Sequence, residues 1–409
     1  MAFGDEFVRL NYPWVLFLVL VVFLRSGDCY SRKVSLEYNP GLNDSLHSSL
    51  NVNLLHIRAV GHNDTIHYIW STLGTPTVLV VHTSVSDSQL HVDWQKLLNE
   101  NQSEAIKIEP ADRVLYSTAI LFTKVFEYDD VKNTANVTMA DKIFPPYNLA
   151  DFTWEDVNAT LNHTTLTAEF SGRNVSAAGL FKNGSISFKV SAFETTGRDA
   201  VLPRLLHNAN SSKMEFVVDG VVPRGNYSRF MLEMVIVEKK ANHRVMKSIH
   251  SIDDEYTPSI FEMAELVAVP QNSSAFHSFV QWKVVAYHSS KYMREDSIPC
   301  ADHELQVINQ TFPSNSIAGA YFSETLDNCN IASINISFGI AEGDYYKDHN
   351  FLSWSIMIGC GNPLEDTFSI LVICIMAVGL GTPVLLLILG CVVVRILRKG
   401  KYSDYGPIN

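Results

Sequence analysis

The residues whose types and spacing point to chemistry are asparagines. Asn43, Asn63, Asn101, Asn136, Asn158, Asn162, Asn174, Asn183, Asn210, Asn226, Asn272, Asn309 and Asn335 each open an N-x-Ser/Thr triplet, thirteen in all. That triplet accepts an N-linked oligosaccharide, which is attached on the luminal side of a secretory membrane. With 38 Ser and 21 Thr in the chain, 28 asparagines would open about four such triplets by chance. Thirteen is therefore a pattern. A dense glycan coat suits a protein that must survive in a degradative compartment.

Other candidate chemistry is sparse. The chain has no G-x-S-x-G, Walker A loop, G-x-G-x-x-G or C-x-x-C. His303-Glu304 begins like a zinc-protease motif, but Val307 stands where the second ligand belongs. Asp253, Asp254 and Glu255 could serve as glycosidase carboxylates or Ca²⁺ ligands. Adjacent carboxylates more commonly mark a solvated acidic turn. His56 and His67 read as structural residues on strands. No catalytic set, cofactor or metal site is expected. At the C-terminus, Tyr405, Gly406, Pro407 and Ile408 form a Tyr-x-x-aliphatic segment that a clathrin adaptor could bind in extended form.

Two apolar segments must position this chemistry relative to a membrane. Trp14–Leu24 is too short to span a bilayer and suits a signal-peptide core, so residues 1–29 read as a signal peptide cleaved between Ser26 and Tyr30. Thr367–Val394 is 28 residues without a charge, long enough at 1.5 Å per residue to cross a hydrocarbon core of about 30 Å. Arg395, Arg398, Lys399 and Lys401 follow it, which predicts a cytosolic tail over residues 395–409. The expected topology is single-pass type I, with a luminal body over residues 30–366. Within the span, Ala377 and Gly381 form a small-xxx-small pair that would let another helix pack closely.

The 409 residues carry a net charge of −12, with only 18% charged residues and 11% aromatics. That composition excludes a disordered chain and argues against a phosphate-backbone binder. The body alone holds 25 basic and 39 acidic residues and all 14 histidines. Its β-branched and aromatic runs include Asn53–Val60, Thr65–Ser71, Thr77–His82, Leu115–Tyr128, Ile186–Phe193, Phe230–Glu238 and Ala275–Tyr287. Turn-forming clusters separate them. The expected fold is all-β, of β-sandwich type with two packed sandwich units, plus one C-terminal transmembrane helix. One short helical stretch is expected over Trp94–Asn101.

Cys29 leaves with the signal or sits at its scar, and Cys374 and Cys391 lie in the span, leaving Cys300, Cys329 and Cys360. Cys300–Cys329 is the expected bridge, worth roughly 3–4 kcal/mol by loop entropy. Cys360 could pair between chains, stay free, or displace one partner.

NLLHIRAVG (Asn53–Gly61), PPYNLADFTW (Pro145–Trp154), PRLLH (Pro203–His207), HSIDDEYTP (His250–Pro258) and LSWSIMIG (Leu352–Gly359) resemble the glycosylated lysosomal membrane protein family. IMAVGLGTP (Ile375–Pro383) and KYSDYGPIN (Lys401–Asn409) extend the resemblance over nearly the whole mature chain. The resemblance implies a lysosomal accessory subunit that shields a polytopic major-facilitator-type dipeptide transporter from luminal proteolysis and supports its localisation. It also implies that Cys300–Cys329 is the family's bridge and that Tyr405–Ile408 is the sorting signal. Two other classes fit the residues less well: a membrane-tethered luminal hydrolase and a cell-surface adhesion receptor.

Overall fold

The computed structural model describes residues 31–42, 52–99, 102–239, 242–250, 262–270, 275–307, 315–365 and 370–402. In chain order the main strands are β1 (Lys33–Tyr38), β2 (Leu54–Val60), β3 (Thr65–Ser71), β4 (Thr77–Thr83), β5 (Val114–Asp129), β6 (Thr167–Asn174) and β7 (Ser185–Ala192). There follow β8 (Ser211–Asp219), β9 (Ser228–Lys239), β10 (Asn242–His250), β11 (Glu262–Pro270), β12 (Ser278–Lys283), β13 (Cys329–Phe338) and β14 (Phe351–Cys360). Helices are α1 (Trp94–Leu97), α2 (Ile317–Phe322), α3 (Tyr346–His349) and α4 (Ile370–Tyr402).

Two antiparallel sheets form the body. The first runs β1-β2-β3-β4-β5-β9-β13, and one register row crosses it from Tyr38 through Leu55, Trp70, Val78, Ile120 and Ile236 to Ala332. The second runs β6-β7-β8-β14-β12-β11-β10. There a row of large rings, Phe170, Phe188, Phe216 and Trp354, lies side by side across four strands. The rings reach the opposite sheet: Phe188 lies 4.9 Å from Phe122, and Trp354 lies 5.9 Å from Phe338. Alternation puts these side chains on the inner faces, where they share one apolar core with Ile57, Tyr68 and Val80. Short strand Ser297–Asp302 pairs with both Val285–Tyr287 and β13, stitching the two sheets at one edge.

The all-β expectation holds. The described residues of the body form one compact unit that ends at Leu364. Apolar residues also point outward: Ile69, Leu79 and Val81 meet Trp94, Leu97, Ile317 and Phe322 of α1 and α2 on the outer face of the first sheet. A smaller cluster of Leu205, Val267, Phe279 and Met357 lies on the second. Strands β3 and β4 thus have covered faces on both sides. The expected helix over Trp94–Asn101 is shorter. It stops at Leu97, capped at its start by Asp93 Oδ1, which accepts from Lys96 N at 3.1 Å.

The C-terminal unit, Glu365–Asn409, is built on α4. Its stretch Ile373–Arg398 is long and apolar enough to cross a membrane.

Candidate functional site

The glycan acceptors are the candidate site. Asn43, Asn101, Asn272 and Asn309 lie outside the described residues. Of the other nine, Asn63, Asn136, Asn158, Asn162, Asn183 and Asn226 are exposed, and each sits in a turn between strands. Strand register shows that the fold spreads them. β5 finishes at Asp129 opposite Ser228, and β8 finishes at Asp219 opposite Ser185 and Phe351. The loops holding Asn136, Asn183 and Asn226 therefore share one end of the sandwich. Asn63 occupies the β2–β3 turn at the other end, where Arg32 Nη1 reaches Asp64 Oδ1 at 3.0 Å and Arg32 Nε donates to Asn210 Oδ1 at 2.7 Å. Asn158 and Asn162 rim the β6 edge, where Asn162 bridges to Thr167.

Three acceptors are less open. Asn210 is half-buried, and its carbonyl takes the Cys360 N–H at 3.0 Å. Asn335 stands mid-strand in β13 opposite Glu233. Asn174 is only 7% exposed, and its Oδ1 accepts from Ala177 N at 3.1 Å. Its parity along β6 matches the inward residues Ala168 and Phe170.

The Cys300–Cys329 bridge is contradicted by the fold. Cys329 is the first residue of β13, whereas Cys300 pairs with Phe338, the last. Nine residues of strand separate the two, about 30 Å, and a disulfide needs Cα atoms within roughly 7 Å. Cys300 and Cys360 are buried free thiols, and Cys329 is buried with its Sγ 3.3 Å from the Thr325 carbonyl. Burial pushes the Cys300 thiol up, and it holds Cys360 up at about 12. Cysteine counting pairs by elimination, and it carries no information on strand register.

A serine–histidine chain does exist. His56 Nε2 lies 2.9 Å from His67 Nδ1, His67 Nε2 lies 2.8 Å from Ser88 Oγ, and Ser88 Oγ lies 2.7 Å from Thr83 Oγ1. His67, Ser88 and Thr83 have no exposure and His56 only 4%. Burial holds the two imidazoles neutral, at about 3 for His56 and about 2 for His67. The chain is a closed strut between strands rather than a nucleophile facing a cleft. His303 Nε2 meets Ser337 Oγ at 3.1 Å, and Asp253, Asp254 and Glu255 lie outside the described residues. Among the described residues no group of His, Cys, Asp or Glu has metal-holding geometry.

Sequence reasoning missed the buried ionic hubs that hold the loops of Asn136 and Asn226. Arg229, 2% exposed, donates from Nε to Asp130 Oδ2 at 3.0 Å and from Nη2 to the Ile340 carbonyl at 3.0 Å. Glu127, fully buried, accepts from Arg224 Nε at 2.6 Å, Ser228 Oγ at 2.6 Å and Tyr147 Oη at 3.0 Å. The available signal was charge inside otherwise apolar strands, which is rare unless paired.

In α4, Ala377 and Gly381 stand exposed one turn apart, and nothing lies within 4 Å of a Cβ built on Gly381. Thr382 Oγ1 returns a hydrogen bond to the Val378 carbonyl at 2.6 Å. Residues 1–29 and the Tyr405–Ile408 segment lie outside the described residues.

Comparison with known proteins points to one family. Residues 53–401 match the family described as glycosylated lysosomal membrane protein. Glycosylated lysosomal membrane protein B of Xenopus laevis is 55% identical over 387 residues, covering 94% of each chain. The Danio rerio relative is 42% identical over 402 residues, covering 96% of this chain and 97% of its own. The Homo sapiens relative is 38% identical over 400 residues, covering 97% and 95%. This chain belongs to the glycosylated lysosomal membrane protein family.

Proposed function

We propose that the protein is a type I accessory subunit of the lysosomal membrane, with its body in the lumen and its tail in the cytosol. In this reading it shields a polytopic major-facilitator-type dipeptide transporter from luminal proteases and supports its lysosomal residence. Tyr405, Gly406, Pro407 and Ile408 recruit a clathrin adaptor, and the Ala377/Gly381 face of the span packs against the partner's helices.

The observation that carries the reading is the placement of the acceptors. Exposed asparagines occupy turns at both ends and along one edge of a single sandwich whose loops are anchored by buried ion pairs. A body so arranged resists proteolysis, because cleavage needs a loop that is both exposed and able to open locally. A glycan coat on ion-paired loops denies both conditions.

The test is cross-linking mass spectrometry on the detergent-solubilised complex from lysosomal membranes, combined with localisation of a Tyr405→Ala variant. The reading expects transporter peptides cross-linked to the body and redistribution of the variant to the cell surface. Absence of any polytopic partner from the purified complex would remove the accessory role.

A further inference from the structure

We infer that the oligosaccharides on Asn136 and Asn226 cover an apolar surface of the protein itself, at the end of the sandwich where β5 and β8 finish. The inference rests on the reading of those two asparagines as occupied acceptors, and it goes beyond protease resistance.

A folded body exposes large apolar side chains singly unless something covers them. Here more than half of those left exposed by the body's described residues gather at one end. Val131, Met139, Ile143, Val222, Tyr227 and Ile340 are each between 41% and 56% exposed. Backbone contacts stitch their loops into one surface. Asp130 N donates to the Tyr227 carbonyl at 3.1 Å, Glu342 N to the Asn133 carbonyl at 2.9 Å, and Tyr345 Oη to the Asp130 carbonyl at 3.1 Å. Tyr227 also packs edge-on against Tyr345, with ring centroids 5.1 Å apart.

The acceptors stand inside this surface. Asn136 is three residues before Met139, whose N–H donates to the Asn136 carbonyl at 3.0 Å. Asn226 directly precedes Tyr227. Both side chains are held through Oδ1, which leaves Nδ2 for the sugar. Asn136 Oδ1 accepts from Thr138 N at 3.0 Å and Thr138 Oγ1 at 2.8 Å, and Asn226 Oδ1 accepts from Lys347 Nζ at 2.6 Å. By contrast, Asn63, Asn158 and Asn162 have no large exposed apolar residue within five positions on either side.

Sugar chemistry suits the role. The first N-acetylglucosamine presents a C–H ring face and an acetyl methyl group, which pack on aromatic and aliphatic side chains as other apolar groups do. A protein docked here would have to clear the glycans on Asn136, Asn183 and Asn226, so the protein's own sugars are the occupant the placement favours.

The experiment uses the full chain purified in detergent. Site-resolved mass spectrometry first measures occupancy at Asn136 and Asn226, and a finding that they carry no glycan overturns the inference through its premise alone. With occupancy established, an Asn136→Gln/Asn226→Gln variant is compared with Asn63→Gln/Asn158→Gln for binding of a hydrophobic fluorescent dye. The first pair should raise dye fluorescence roughly two-fold, and the second should leave it unchanged. Adding Met139→Ser and Ile143→Ser to the first pair should restore the wild-type signal. Equal responses from the two pairs, or no response from either, would overturn the covering role while leaving glycosylation itself intact.

Discussion

His56 and His67 lie with Nε2 and Nδ1 2.9 Å apart and ring planes within 6°, enclosed in the outer layer of the first sheet. This pair couples the fold to pH in a definite direction. Burial holds His56 neutral to about 3 and His67 to about 2. The unfolded chain takes up protons near 6.5. Below that value the unfolded state binds more protons than the folded one, so stability falls as pH drops. At about 1.4 kcal/mol per pH unit, each histidine removes about 2 kcal/mol between pH 6.5 and pH 5. His288 acts the same way, since burial and the neighbouring His349 hold it near 4. A His56→Gln/His67→Gln variant should therefore show a flatter loss of unfolding free energy between pH 7 and pH 5. An unchanged slope in denaturant titrations would show that these residues do not carry the effect.

Cys300 and Cys360 should be thiols. Denaturing alkylation without reductant is expected to label both, and Cys300→Ser should not change mobility on a non-reducing gel. Under native conditions a maleimide should react slowly, because the thiols are buried and those of Cys300 and Cys360 are held protonated. Recovery of a Cys300–Cys329 linked peptide would contradict the strand register of β13.

Arg229 should be the most sensitive charged position in the body. Asp130→Asn leaves the buried guanidinium without its counter-charge, and breaking such a pair costs about 3–5 kcal/mol. The affected loops are those that carry Asn136 and Asn226. Limited proteolysis of the variant should cut first in residues 130–145 or 339–345. A wild-type digestion pattern would show that the hub does not anchor them.

Asn174 should be the least occupied of the described acceptors. The residue is only 7% exposed and its Oδ1 is bonded to Ala177 N, so a sugar on Nδ2 is the most crowded of the set. Asn174→Asp keeps the acceptor oxygen and should fold normally with no change in glycan mass. Full occupancy at Asn174 by glycoproteomics would mean that β6 ends differently from the register with Phe152.

Much of the architecture was legible from residue pattern. Runs such as Thr65–Ser71 and Phe230–Glu238 declared strands because β-branched and aromatic residues fill them, and they pair as β3 and β9. Strands β1, β10, β11 and β14 escaped. Polar residues interrupt β1 and β10. In β14, the side chains of Ser353, Ser355 and Met357 fall on the outer face while Trp354, Ile356 and Ile358 fill the core. That alternation was visible but short. The acceptor asparagines were readable from the triplet alone. Their openness was not, because Asn174 and Asn183 look alike in sequence, and only the fold puts Asn174 at an inward strand position and Asn183 in a turn. Register also decided the cysteines. Gly361, at φ +87°, turns the chain after β14 so that the Leu364 carbonyl accepts from Gln281 Nε2 at 2.7 Å, a contact no local pattern announces.

The proposal that this protein shields a transporter is tested most directly by the partner's lifetime. Pulse-chase of the dipeptide transporter in cells lacking this protein should show a shortened half-life, restored by inhibitors of lysosomal proteases. Re-expression of the wild-type chain should also restore it, while a chain with its exposed acceptor asparagines changed to Gln should not. A transporter half-life that is the same with and without this protein would contradict the account.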